Sequence, residues 1–281
     1  MQWQTSRFLI DLNRPKVMGI VNVTPDSFSD GGSHDSVPAA LAHCEALLEQ
    51  GADILDIGGE STRPGSPAVP LEVELARVIP VVKAASALGV PLSVDTYKPE
   101  VMQASLDAGA DIINDIWALR QPRAREVVAA HPRCGVCLMH MHRDPQTMQQ
   151  QTMTGDVVEE VLGFLAAQAD GLRKMGVARE RIVLDAGIGF GKTVEQNFAL
   201  LARQDALRQS SGHAWLAGWS RKSSLGEVTG LPVDQRLGAS VAAALLSVEK
   251  GAAVVRVHDV RDTVAALKVW DAMRAQERPA D

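Results

Sequence analysis

Asp95, Asn114, Asp185 and Lys222 offer the most chemistry in this chain of 281 residues. The two carboxylates accept hydrogen bonds, the amide both donates and accepts, and the ammonium can donate to a carbonyl or a ring nitrogen. Such a set suits a flat heterocycle with an amino-pyrimidinone edge. Ile116, Met139 and Phe190 add apolar faces, and the planar guanidinium of Arg256 can stack on a ring. A second group, Arg63, Arg256 and His258, carries cationic donors suited to phosphate oxygens. The ligand these residues imply is a polar-edged ring bearing a diphosphate.

Side chains so far apart in sequence need a frame to gather them, and an internal echo supplies it. Gly51-Ala-Asp-Ile-Leu-Asp56, Gly109-Ala-Asp-Ile-Ile-Asn114 and Gly251-Ala-Ala-Val-Val-Arg256 share one grammar. Each follows a stretch of helical periodicity, as Leu237, Val241, Ala244, Leu245 and Val248 illustrate. A glycine ends that helix in the manner of a left-handed cap, and a short β-branched run then stops at a polar residue. Runs at 17–22, 90–95, 135–139, 182–185 and 215–218 fit the same pattern. Between them lie helical patterns at 37–50, 72–88, 99–108, 157–175 and 193–209.

Eight strands alternating with helices predict a parallel sheet and an α/β (β/α)8 TIM barrel. A doubly wound open sheet is the alternative. Barrel enzymes work at the C-terminal ends of their strands. Those ends carry Asn22, Asp56, Asp95, Asn114, Met139-His140, Asp185, Ser220-Arg221-Lys222 and Arg256-Val257-His258. Helix N-caps explain one or two such residues, Asp259 among them. They do not explain a ring that includes lysine and arginine, so the ring reads as a ligand-binding mouth.

Composition narrows the rest. A formal charge of −6 argues against a nucleic-acid partner, whose phosphates attract basic surfaces. No apolar run approaches the roughly 20 residues that span a bilayer, and the first residues lack a signal peptide's pattern. A cytoplasmic protein is expected. No linker-like window divides it, so one domain over 1–281, with its core at about 15–275, is also expected.

Three cysteines cannot make a disulfide framework. Cys134-Gly-Val-Cys137 has redox or zinc spacing but no second ligand pair, which favours buried, inert thiols. Gly187-Ile-Gly-Phe-Gly-Lys192-Thr193 resembles a phosphate-binding P-loop, yet Ala186 stands where its first glycine belongs. A tight loop positioning Phe190 fits better. His140 and His142 lack a carboxylate shell and read as mouth polarity rather than a metal pair.

Two long motifs are more specific. Met18-Gly-Ile-Val-Asn22-Val-Thr-Pro-Asp-Ser-Phe28-Ser-Asp-Gly-Gly32 and Asp56-Ile-Gly-Gly-Glu-Ser-Thr62-Arg63-Pro64-Gly65 resemble the two signatures of dihydropteroate synthases, a pterin-binding barrel family. Ser93-Val-Asp95-Thr96, Ile113-Asn114-Asp115, Leu138-Met139-His140-Met141, Gly189-Phe190-Gly191-Lys192, Ser220-Arg221-Lys222-Ser223 and Arg256-Val-His258-Asp259 follow in the family's order. The resemblance runs from about residue 17 to 270.

It implies condensation of 6-hydroxymethyl-7,8-dihydropterin diphosphate with 4-aminobenzoate to give 7,8-dihydropteroate, assisted by Mg²⁺, in a homodimer. By the same resemblance Asp95, Asn114, Asp185 and Lys222 would hold the pterin, with Arg256 packed on its ring. Asn22 would sit by the metal and diphosphate, while Arg63, Arg256 and His258 take phosphate oxygens. Phe28, Thr62, Pro64, Phe190 and Ser223 would shape the 4-aminobenzoate site, where sulfonamides also bind in this family. Ile116, Met139 and Gly218 complete the substrate-contacting set. Asp95, Lys222, Arg63, Arg256 and His258 are expected to carry the catalysis.

The chain departs from the family's pattern at His142-Arg143, Ala186 and Trp219, beside the contact residues rather than on them. A methyltetrahydrofolate-binding methyltransferase barrel shares the pterin-pocket Asp and Asn residues but needs neither long motif. A non-catalytic pterin-binding paralogue would have decayed in the loops that Phe28, Thr62, Arg63 and Pro64 occupy.

Overall fold

The computed structural model describes residues 1–24, 36–61, 66–143, 148 and 152–276. A hairpin of β1 (Gln2–Gln4) and β2 (Leu9–Asp11) precedes β3 (Lys16–Asn22), α1 (Ser36–Glu49), β4 (Ile54–Gly58) and α2 (Leu71–Ala85). Next come β5 (Leu92–Asp95), α3 (Pro99–Asp107), β6 (Ile112–Asp115), α4 (Ala124–Ala130) and β7 (Gly135–Met139). The chain continues through α5 (Val157–Lys174), β8 (Ile182–Asp185), α6 (Val194–Ala202), α7 (Gln204–Ser211) and β9 (Ala214–Ala217). It ends with α8 (Ser223–Thr229), α9 (Leu237–Glu249), β10 (Val254–Val257) and α10 (Val260–Gln276).

Strands β3 to β10 pair in parallel and in chain order, and the β10–β3 ladder closes the ring. That closure makes the fold a TIM barrel and excludes the open sheet. The repeated glycines act as the sequence implies: Gly51, Gly109 and Gly251 take φ values of 101°, 106° and 87°. An L side chain rarely adopts that region, so glycine lets each helix stop and the next strand begin.

Alternation along the strands sorts the barrel into an outside and an inside. Outward residues such as Val21, Ile57, Val94 and Val257 join helix residues in one apolar cluster, and Ile113, Leu138, Leu184 and Trp215 join another. Inward, the first layer is apolar. Met18, Ile54, Ile112, Cys137, Val183, Leu216 and Val254 pack with Trp3, Ile10 and Leu12 of the hairpin. Trp3 is fully buried, and its indole N–H donates to the carbonyl of Arg181 at 3.0 Å. The hairpin thus seals the N-terminal end of the barrel. Two residues further along the strands the interior turns polar, at Asp56, Asp95, Asn114, Asp185 and Arg256.

The structure differs from the sequence reading in several elements. The hairpin and helices α4, α8 and α10 carry no clear signal, being short or weakly amphipathic. The pattern at 193–209 divides at Arg203 into α6 and α7, where buried Gln204 turns inward and donates to the carbonyl of Ser247 at 2.8 Å. Cys44, Cys134 and Cys137 are free and buried. Burial raises all three thiol pKa values, which makes them poor nucleophiles.

Candidate active site

Five neighbouring strands, β4 to β8, and β10 opposite them build the floor. Asp95 and Asn114 sit side by side in the β5–β6 register, and Met139 and Asp185 in the β7–β8 register. From β10, Arg256 reaches across the mouth. Its Nε donates to Asp56 Oδ2 at 2.6 Å and its Nη2 to Asp95 Oδ2 at 2.8 Å. Asn114 Nδ2 donates to the same Asp56 oxygen at 3.2 Å. Asp56 has no place in the site residues expected from sequence, although the pattern ends a strand there; β4 runs on to Gly58 and Asp56 points inward from its middle. Only the register shows it facing Arg256.

Each carboxylate pairs through one oxygen, and the buried Asp56 Oδ1 and Asp95 Oδ1 have no hydrogen-bond partner among the described residues. A buried acceptor without a donor is costly, so the floor is made to receive N–H groups. Burial pushes the Asp95 carboxyl up to about 7, against the pull of Arg256 and with the help of the Asp56 charge. Asp185 is also raised by burial, opposed by the N–H of Gly187 at 2.7 Å and by the charges of Lys222 and Lys192. Burial works against the Arg256 charge, but Asp56 and Asp95 outweigh it and hold the guanidinium above its ordinary pKa.

Beside this floor stands an apolar wall. Ile116, Met139 and Phe190 cluster with Met141 and Met148. Lys222 Nζ lies 4.3 Å from the centroid of the Phe190 ring, an ammonium set against an aromatic face. The loop carrying Phe190 is tied from beneath. Lys192 is buried, and its Nζ donates to the carbonyls of Gly187 at 2.9 Å, Phe190 at 3.1 Å and His140 at 3.3 Å. Burial lowers its pKa to about 7, with Asp185 opposing. A lysine spent on carbonyls cannot cradle a phosphate, which removes the P-loop reading. Gly187, at φ 65°, brings its backbone so close that a Cβ would lie 1.9 Å from the His140 carbonyl.

The remaining predicted residues lie around the rim. Asn22 ends β3, half-buried and opposite Gly58. His258 follows β10, and its Nδ1 is 3.0 Å from Ser220 Oγ. Gly218 follows β9, and exposed Ser223 opens α8. His140 does not serve the mouth: it is buried with its ring edge-on to Phe164, centroids 5.0 Å apart. Asp259 precedes α10, but its carboxylate takes Arg221 at 2.6 Å. Asp115 faces outward from β6 and is buried, accepting from the N–H groups of Trp117 and Leu119.

Phe28, Thr62, Arg63 and Pro64 lie outside the described residues. The root of the second long motif is described, and an ion network that sequence reading missed holds it. Lys98 pairs with both Glu60 and buried Glu74. Tyr97 donates to Glu60 at 2.9 Å, and Thr96 to Glu74 at 2.6 Å.

No group of three or more His, Cys, Asp or Glu suited to a metal occurs among the described residues. No helix among them is long and apolar enough to cross a membrane.

A family model for pterin binding enzymes matches residues 18–258. A dihydropteroate synthase of Neisseria meningitidis serogroup B is 50% identical over 276 residues, covering 96% of this chain and 97% of that one. The crystal structure of a Burkholderia cenocepacia dihydropteroate synthase complexed with 7,8-dihydropteroate superposes with a TM-score of 0.90. It is 53% identical, over 99% of this chain and 98% of that one. A Xanthomonas albilineans dihydropteroate synthase with 4-aminobenzoic acid gives a TM-score of 0.91 at 50% identity, over 98% and 99% of the two chains.

Proposed function

The chain belongs to the dihydropteroate synthase family of pterin-binding enzymes, and from that premise we propose that its barrel mouth condenses 6-hydroxymethyl-7,8-dihydropterin diphosphate with 4-aminobenzoate. The products are 7,8-dihydropteroate and diphosphate. The observation that carries this reading is the pair of buried, unpartnered carboxylate oxygens on Asp56 and Asp95, beside Asn114 and Asp185. They match the N–H groups of an aminopyrimidinone edge. Lys222 would donate to the ring from beside Phe190. Arg256 has five N–H groups and gives two to Asp56 and Asp95. Three are left for the ligand while its plane lies against the ring.

In the reaction the bond from the pterin methylene carbon to the diphosphate oxygen breaks with its electron pair. The arylamine nitrogen then attacks that carbon and loses a proton. Departure before attack leaves a cation delocalised into the ring, which the negative floor favours electrostatically. His258, Arg256 and Arg63 would receive the diphosphate charge. The aniline is nucleophilic enough that no strong base is needed. Phe28, Thr62, Pro64, Phe190 and Ser223 are assigned to the arylamine side, which is also where a sulfonamide would compete.

The donor set supports Mg²⁺ carried mainly by the substrate. Asn22 is one amide oxygen without a described acidic cluster nearby, and Mg²⁺ commonly keeps its waters and leans on phosphates. When bound it would neutralise charge on the departing diphosphate. Exposed Val228, Leu231, Val233, Leu237 and Leu246 around α8 and α9 support pairing of two copies there. The three free thiols are compatible with a reducing cytoplasm.

A coupled diphosphate-release assay tests the reading. Release should require both substrates and fall after chelation of divalent metal. Release at an equal rate without 4-aminobenzoate would overturn the synthase assignment, and full turnover after chelation would overturn the metal.

A further inference from the structure

Ser220 has no part in the scheme above, yet its hydroxyl faces two atoms of one proposed diphosphate ligand. The His258 backbone N–H reaches Ser220 Oγ at 3.2 Å, and His258 Nδ1 lies 3.0 Å from that oxygen. Ser220 is buried. Its neighbours fix it from several sides. Arg221 donates to Asp259 through Nε at 3.1 Å and Nη2 at 2.6 Å. The Arg221 N–H donates to Ser240 Oγ at 3.0 Å, while Arg236 reaches the carbonyls of Arg221 and Lys222. Arg221 itself sits at φ 60°, a conformation a non-glycine residue holds only when its surroundings impose it. The segment before α8 is thus zipped to the segment after β10 at two rungs, Ser220–His258 and Arg221–Asp259.

We infer that Ser220 is a positioning residue that sets the tautomer of His258, making Nδ1 the acceptor and Nε2–H the donor. A backbone N–H can only donate, so Oγ accepts from it. The one hydroxyl hydrogen then needs an acceptor, and Nδ1 is the acceptor in reach. In the opposite arrangement Nδ1–H would donate to Oγ as well. The buried hydroxyl hydrogen would then have no partner among the described residues, an arrangement proteins rarely keep. The second nitrogen's hydrogen bond is what fixes the role of the first. With Nδ1 occupied in this way, a neutral His258 still offers a hydrogen to a phosphate oxygen.

The value of this to catalysis rests on His258 as a diphosphate ligand, and the test separates the two statements. Ring-nitrogen NMR of the full-length protein, with isotope-labelled histidine and His258→Gln for assignment, reads the tautomer directly. Wild type should show an acceptor-type Nδ1 and a protonated Nε2. Ser220→Ala should lose that preference and bind inorganic diphosphate about tenfold more weakly, the scale of one hydrogen bond to a charged group. Its affinity for 6-hydroxymethylpterin, which has no diphosphate, should hold, and Ser220→Thr should restore both readouts. A protonated Nδ1 in wild type overturns the inference whether or not the variants fold. A tautomer that follows Ser220, with diphosphate affinity unmoved in both Ser220→Ala and His258→Gln, overturns the ligand role of His258 and any effect of Ser220 on catalysis.

Discussion

Asp56→Asn probes the centre of the floor with the least change of shape. Asp56 is fully buried and takes Arg256 at 2.6 Å and Asn114 at 3.2 Å on one oxygen. The asparagine can keep an oxygen there, but the charge is gone and an NH2 group replaces the second acceptor. Stripping one partner from a buried ion pair costs roughly 3–5 kcal/mol. Here Arg256 retains Asp95, and 22% of its side chain is exposed. The loss should therefore be smaller, about 2–3 kcal/mol, within the range of a charge-assisted hydrogen bond. At about 2–4 °C per kcal/mol for a domain of this size, the melting temperature should fall by about 4–12 °C.

A second consequence is electrostatic. The Asp56 charge is one of the causes that raise Asp95 to about 7. Without it, Arg256 pulls on Asp95 alone, and the Asp95 pKa moves down. Pterin binding needs an ionised acceptor at Asp95, so in wild type it should weaken as pH drops through about 7. In Asp56→Asn the weakening should begin at lower pH, even though affinity at high pH is reduced by the lost acceptor. Calorimetric pterin titrations from acid to alkaline pH, run with thermal melts, decide the matter. A melting temperature and pH profile both equal to wild type would refute the Arg256 bridge, and a midpoint shifted upward would refute the assigned balance of charges.

Three further outcomes are expected. Asp185→Asn should weaken pterin binding by about 1.5–3 kcal/mol and leave 4-aminobenzoate binding nearly unchanged; calorimetry with each ligand would show otherwise if Asp185 lies off the pterin. Lys192→Met should cost at least about 2 kcal/mol in chemical denaturation, since three buried carbonyls lose their donor, and Lys192→Arg should not rescue it because a planar fork cannot replace a compact ammonium. Asp115 is raised by burial from 3.8 to about 7, so the stability it contributes is present below the lower value and lost as pH rises through the upper. Wild type should thus lose a few kcal/mol more between those values than Asp115→Asn, and parallel stability curves would count against a buried, protonated Asp115.

Local signals were readable because local physics writes them. Each barrel strand needs a β-branched run, and each helix needs a periodic apolar stripe and a left-handed exit. Gly51, Gly109 and Gly251 therefore mark β4, β6 and β10 without any tertiary information. The strands β1 and β2 escaped notice because three residues are too few to show a period. Helix α10 follows the last repeat but has a weak stripe, so no pattern announces it.

By itself, the sequence determined the alternation of eight strands with helices, the polar residues that end the strand runs and the kind of ring and anion those residues suit. Each rests on residue type and spacing along the chain. Closure of the sheet into a barrel was decided by the tertiary structure. Whether an inward aspartate meets an arginine, a ring or a backbone N–H is another matter, since register and barrel closure fix it over separations of a hundred residues or more. Only closure carries Arg256 over Asp56 and Asp95, and the pairing of β9 with β10 sets Ser220 against His258. Burial likewise turns Lys192 from an apparent phosphate ligand into a clamp on three carbonyls, because an ammonium taken out of water must satisfy its donors within reach.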